Sequence, residues 1–253
     1  MSYLSERSHI PMPPPTEDEL PCDDGEPMET ERHREQMWLL IESLRLFWKD
    51  RTDFYVGGNM FVYFSAIQAL KNDFRGPDVF VVLDTERRER KSWVVWKEGK
   101  APDVVIELTS ETTEQEDRGR KKQVYASQMR VPFYGIYDPF TAELEGYTLD
   151  AVAREYKPVA TDENGDLLCD LLGLRLGVRR GIHAGIEAPW LRWIDAQGTP
   201  LPTGEEQAAA EATRATAEAA RAEAEAAHAE QETQRAEGLA ARLAEYKKRF
   251  GPL

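Results

Sequence analysis

The apolar positions change their period several times along the chain, and each change marks an element. Met37, Leu40, Ile41, Leu44, Phe47 and Trp48 recur at steps of three and four. That spacing predicts one helix running to about Lys49, with the Thr30 hydroxyl as its cap. Residues 54–56 and 60–64, parted by Gly57-Gly58, predict a hairpin or two short strands. Val79–Leu83 and residues 93–96 and 103–108 predict three more strands. The first and last of these are apolar on both faces, as central strands covered on both sides require. Residues 115–128 are good helix formers behind the capping candidates Thr109, Ser110, Thr112 and Thr113. Phe133–Tyr137 is a further strand stopped by Asp138-Pro139, and residues 145–149 with 155–159 predict an outer antiparallel pair. This order is that of an α/β domain, a mixed sheet flanked by helices.

The flanks follow other rules. Residues 1–29 hold five prolines between Pro11 and Pro21 and the run Glu17-Asp18-Glu19, which predicts a disordered, proline-rich acidic arm. Residues 173–203 are glycine-rich, with Trp190 and Trp193 in alternation, and predict a peripheral hairpin turning at Gln197-Gly198. Residues 205–250 contain seventeen alanines and no proline, the composition of a long exposed helix or a weak coiled coil. There only Leu239, Leu243, Tyr246 and Phe250 make an apolar stripe, so the helical tail at 204–253 is either solvated or a partner-binding element. The domain proper is expected over 30–203.

Charge narrows the possible ligands. The 253 residues carry a net charge of −14, of which residues 1–31 supply nine acids against one base. Residues 32–204 are close to neutral, with 24 bases and 27 acids, and so offer no broad basic face to steer a nucleic acid. One basic cluster stands out: five bases between 87 and 97, beside Trp93 and Trp96. It reads either as a charged hairpin loop or as a surface on which a nucleic-acid strand stacks. Two cysteines exclude a disulfide framework and a four-cysteine zinc site. No apolar run reaches membrane-spanning length and no leader pattern opens the chain, so a soluble, cytoplasmic protein is expected.

The candidate chemistry lies at strand ends. Asp78 opens one apolar run and Glu107 nearly closes another, 29 positions later. If those strands pair, both carboxylates meet at one sheet edge and form an oxygen-rich pocket suited to Mg²⁺ or Mn²⁺. An acid flanking a buried strand also serves simply as a turn former. Asp117 and Lys121 stand four apart on the following helix, with Tyr125 continuing the same face. That face can fold back onto Glu107 and bring a cation to a phosphate, or else carry an ordinary surface ion pair. The sequence has no Gly-x-Gly-x-x-Gly loop, Walker loop, paired-histidine zinc motif or nucleophile elbow.

Several segments in this order resemble a known family: Gly76-Pro77-Asp78-Val79, Pro102-Asp103-Val104-Val105-Ile106-Glu107-Leu108-Thr109-Ser110, Asp117…Lys121…Tyr125, Val131-Pro132-Phe133-Tyr134 and Asp138-Pro139. They follow the pattern of the Uma-type restriction-endonuclease-like family, placed in the PD-(D/E)XK nuclease superfamily. The resemblance covers roughly residues 30–202. It implies a restriction-endonuclease-like core and a Mg²⁺- or Mn²⁺-dependent endonuclease acting on DNA. In that reading Asp78 and Glu107 are the metal ligands and Lys121 is the catalytic lysine, supported by Asp117 and by Glu42 or Glu35 from the first helix. His33 falls where relatives often carry a histidine. The superfamily pattern wants its lysine two residues after the second acid, where this chain has Thr109, so Lys121 would stand in for it from the helix. Glu111, where many relatives have proline, is a second departure. A homodimer is expected from the task of cutting two strands. The competing expectation is a non-catalytic interaction protein that keeps the nuclease fold and recruits partners through residues 205–250.

Overall fold

A computed structural model describes residues 14–20, 30–65 and 74–251. The chain divides into two compact units, Met1–Thr203 and Gly204–Leu253.

In the first unit, helix α1 spans Glu31–Phe47, and the Thr30 side chain accepts a hydrogen bond from the His33 amide. The strands are β1 (Phe54–Gly57), β2 (Val62–Tyr63), β3 (Val79–Leu83), β4 (Trp93–Val94), β5 (Val104–Leu108), β6 (Phe133–Tyr137), β7 (Leu144–Asp150), β8 (Glu155–Pro158), β9 (Leu167–Cys169), β10 (Leu174–His183) and β11 (Ile186–Ile194). Six of them form a mixed sheet in the order β1-β3-β5-β6-β7-β8. Its one parallel pair, β5 with β6, is connected through the helix at 114–129. That crossover lets two neighbouring strands run the same way.

Both faces of the sheet are covered, which is why β3 is apolar throughout and β5 is apolar up to Glu107. On one face Val81, Val104 and Ile106 pack with Leu40 and Leu44 of α1 and with Leu176, Leu191 and Trp193 of β10 and β11. On the other, Phe80, Val82 and Val105 pack with Val124, Tyr125 and Met129 of the 114–129 helix and with Val62 and Trp93 of the small parallel pair β2–β4.

Three expectations change. The hairpin in 173–203 turns at Ala184-Gly185, where both residues have positive φ, and not at Gln197-Gly198, which makes a smaller turn after β11. Alanine seldom adopts that conformation, so the turn carried no composition signal. Nor is this hairpin peripheral, since Leu174, Leu176, Leu191 and Trp193 belong to the main core. Second, the strand expected at 93–96 stops at Val94, and Val95–Glu98 forms one helical turn. Third, residues 14–20 of the acidic arm lie against the domain. The remainder of the disorder expected over 1–29 lies outside the described residues.

The second unit is one helix, Gly204–Phe250, of 47 residues with none buried. Leu239, Leu243, Tyr246 and Phe250 are exposed along it. Among the described residues, no helix is long and apolar enough to cross a membrane.

One polar tie joins α1 to the outer edge of the β11–β10–β9 sheet. The buried Gln36 side chain accepts from the Leu191 amide and donates to the Leu191 carbonyl, both at 2.9 Å. Gln36→Leu strands both backbone groups, at a cost of about 2–4 kcal/mol. A thermal melt should fall by about 5–10 °C, because 1 kcal/mol moves a domain of this size by about 2–4 °C.

Candidate active site

β3 and β5 run antiparallel with Val79 opposite Ile106, so the next pair outward is Asp78 and Glu107. The register therefore brings the two acids to one sheet edge. Asp78 is half-buried, and its Oδ2 accepts from the Leu108 amide at 2.7 Å. Glu107 has no exposed surface. Its Oε1 accepts from the buried Tyr125 hydroxyl at 2.7 Å.

The 114–129 helix supplies the counter-charge. Lys121 Nζ stands 2.8 Å from Asp117 Oδ1 and 3.2 Å from Glu107 Oε2. Asp117 is itself buried, at 1 % exposure, while the Lys121 side chain keeps 21 % of its surface. The helix is not uniformly α: Asp117–Lys121 and Tyr125–Met129 are π-helical, and the first π segment carries both the aspartate and the lysine. Wide turns of this kind recur at functional sites because they re-aim side chains. The Tyr134 hydroxyl, rising from β6, donates to the Asp117 carbonyl at 2.9 Å and pins this turn to the sheet.

Four ionisable groups thus share one desolvated space, three acids against one base. Burial pushes the Asp78 carboxyl above the usual carboxylate range; Lys121 and the Leu108 amide oppose the rise. Burial likewise raises Glu107, with Lys121 lowering it and the charges of Asp78 and Asp117 raising it further. For Lys121, burial disfavours the charge, but Glu107, Asp117 and Asp78 outweigh burial and hold the ammonium protonated. Glu107 Oε2 and Asp117 Oδ1 receive no well-aligned hydrogen bond, although the ammonium is close to both. Two raised carboxylates and buried oxygens without directed donors suit a hard divalent cation, which keeps waters and takes one or two protein carboxylates. Among the described residues, no group of three or more His, Cys, Asp or Glu converges on one cation position. The fit is thus to a two-carboxylate site completed by water and substrate oxygens.

The remaining sequence candidates lie on α1, just after β5 and on the 114–129 helix. Glu42 is half-buried on α1. Glu35 pairs with Arg34. His33 is buried at the start of α1, its Nδ1 2.8 Å from the Thr30 hydroxyl and its ring beside Phe140. Thr109, at the superfamily's lysine position, is buried, and its amide donates to the Tyr137 carbonyl. Lys122 lies over the Tyr147 ring at 3.3 Å.

Sequence reasoning missed Gly58. A Cβ there would lie 2.3 Å from the Asp78 carbonyl oxygen and 2.7 Å from Ile41 Cδ1. Only glycine lets this loop pass so close to the strand end that carries Asp78. The Gly57-Gly58 pair was visible in the sequence, but as a turn signal rather than as a close approach.

The sequence pattern of the family described as "Uma2: Putative restriction endonuclease" matches residues 10–182. The chain belongs to this family. No curated protein matches the sequence. Among solved structures, one described as a "putative nuclease" from Anabaena variabilis ATCC 29413 is similar at 16% identity and a TM-score of 0.43. The match covers 62% of this chain and 90% of that one. Within the Uma2 chain described here, the paired strand-end acids and the helix-borne lysine are the features that sequence and structure bring together.

Two predictions follow from the crowded carboxylates. A carboxyl raised in the folded state adds stability that is complete below its ordinary value and is lost as pH rises through the raised one. Metal-free wild type should therefore melt at falling temperature from pH 5 to pH 9, and Glu107→Gln should flatten that decline. Each 1 kcal/mol of ionisation cost removed should return about 2–4 °C at the alkaline end. Scanning fluorimetry across pH in a chelating buffer checks this, and a wild-type curve as flat as the variant's would refute it. Separately, Gly58→Ala should displace Asp78, lowering the melting temperature and weakening Mn²⁺ binding together, as read by calorimetry.

Proposed function

We propose that the chain is a divalent-metal-dependent endonuclease that hydrolyses phosphodiester bonds in DNA. The observation carrying this reading is the meeting of Asp78 and Glu107 at one strand end with the Lys121 ammonium 3.2 Å from Glu107. Membership of a family described as restriction endonucleases supports the substrate class.

In this reading Asp78 and Glu107 hold Mg²⁺ or Mn²⁺. Such an ion polarises the phosphodiester and lowers the pKa of an attacking water. The chain's own residues do the rest. Tyr125 fixes the orientation of Glu107 through its hydroxyl. Asp117 holds Lys121 by their 2.8 Å pair, so the ammonium is aimed before any substrate arrives. Lys121 stays protonated and offers a fixed positive charge to a non-bridging phosphate oxygen. Asp78 and Glu107 shed the protons that burial favours, so ion binding releases protons and strengthens as pH rises. A homodimer would place two such centres on one duplex.

A second reading has an observation of its own. The Gly204–Phe250 helix buries none of its residues and exposes Leu239, Leu243, Tyr246 and Phe250, as a recruiting element would. In that case the chain is an interaction protein that retains the nuclease fold.

Calorimetry with Mn²⁺ on wild type and on Asp78→Ala/Glu107→Ala separates the two. Saturable binding that the double variant loses is expected. No binding by a folded wild type would overturn the nuclease reading. On plasmid DNA, Lys121→Met should cut about 10²–10³-fold more slowly, the scale of removing one preorganised charge at a developing oxyanion. Its Mn²⁺ affinity should not fall.

A further inference from the structure

The basic cluster at 87–97 is left unused by this centre. Asp78 precedes β3, whereas Arg87 and Arg88 follow it, and the amides of Thr85 and Arg87 bond to Asp53 and Thr52 just before β1. The length of β3, about 17 Å, therefore separates the cluster from the carboxylates. That is about five base pairs along a duplex strand.

Here a cavity of about 410 Å³ is lined by Arg45, Arg87, Arg88 and Arg90 against the single acid Glu89, with Phe54 and Tyr55 as its apolar wall. Arg90 is structural: it is buried, pairs with Glu98 at 2.9 Å and lies over the Trp93 and Tyr55 rings. Arg45 and Arg87 are different. Among the described residues neither has a carboxylate within ion-pair distance; Arg45 donates to the Val56 carbonyl and Arg87 lies over the Phe54 ring. Burial pushes the Arg45 guanidinium down, and the like charge of Arg87 adds to that push. Two cations held together without an ion-pair partner, in a cavity with four arginines to one acid, are a place where an anion gains.

Arg88 pairs with Glu98 of the domain, and the acidic arm adds carboxylates to it and to the two neighbouring lysines. Glu17 lies 3.0 Å from Lys97 and 3.5 Å from Arg88, and Asp18 lies 2.8 Å from Lys91. The Trp96 indole donates to the Pro15 carbonyl at 3.0 Å, and Leu20 packs against Phe61, Tyr63 and Val94. The arm thus sits on the tryptophan and lysines that the sequence left open as either a charged loop or a nucleic-acid surface, with its carboxylates on those cations.

We propose that Arg45, Arg87, Arg88, Lys91 and Lys97 form a docking surface for the phosphate backbone of DNA, and that the arm's Glu17 and Asp18 are its tethered competitor. This rests on the reading of DNA as substrate. The surface holds the duplex while the distant carboxylates act, and DNA must displace the arm to occupy it. The near-neutral domain then binds DNA weakly until the arm lifts, which reconciles an acidic chain with a polyanionic substrate.

The test is fluorescence anisotropy with a labelled duplex oligonucleotide in chelating buffer, where no cleavage occurs. In the full chain, Glu17→Gln/Asp18→Asn should bind about five- to tenfold more tightly, the scale of three exposed ion pairs lost by a competitor. The gain should shrink with added salt. Adding Arg87→Glu/Lys97→Glu should abolish both the gain and most of the remaining affinity. Unchanged or weaker binding by the arm variant overturns the proposal, as does failure of every variant to bind. Circular dichroism confirms that each variant is folded. Cleavage with Mn²⁺ but no tightening would refute the docking surface alone. Tightening without cleavage at any divalent ion would refute the nuclease reading and leave the surface standing.

Discussion

The Glu107 carboxylate and the Lys121 ammonium face one another at 3.2 Å in a space where Glu107 has no contact with solvent. Burial disfavours both charges and raises the Glu107 carboxyl, while the three surrounding acids keep the Lys121 ammonium charged. Asp78 and Asp117 add two more carboxyl groups than a single ammonium can balance. The cluster is therefore under electrostatic tension, and the surrounding scaffold is what holds its members close. Tyr125 and Tyr134 are spent on it, each giving its hydroxyl to a group of the site instead of to solvent.

That scaffold has two layers with distinct duties. The sheet fixes Asp78 against Glu107 by strand register, and α1, through Met37 and Ile41 near Gly58, backs the loop that keeps Asp78 in place. The opposite layer, the 114–129 helix, carries Asp117, Lys121 and Tyr125 to the same spot while burying Val124 and Met129 against Phe80 and Val105. Packing and charge are thus supplied by the same short helix. A change in its core residues would move the ammonium as surely as a change at Lys121.

Much of this was legible in the residues because it rests on short periods. Uninterrupted apolar runs at 79–83 and 104–106 mark central strands, and acids at their ends meet once the strands pair. Steps of four from Asp117 to Tyr125 put three side chains on one face. What stayed hidden depends on contacts between segments far apart in sequence. The nearness of Gly58 to the Asp78 carbonyl, the Gln36 clasp on β11 and the docking of Glu17 and Asp18 on a loop some 75 residues away have no periodic signature. The positive-φ turn at Ala184-Gly185 was hidden for another reason, since alanine does not advertise such a turn.

Carrying the lysine on a helix, and not two residues after Glu107 on β5, gives the centre two independent rulers. Along the strands the unit of adjustment is coarse, because inserting one residue in β3 or β5 would send Asp78 or Glu107 to the opposite side of the sheet. Along the helix it is fine, because an extra residue is absorbed as a π turn of the kind seen at Asp117–Lys121. Descendants of this chain can thus lengthen, shorten or rotate the approach of the ammonium while the paired acids stay where they are. Evolution of the reacting geometry is in this way uncoupled from the integrity of the sheet.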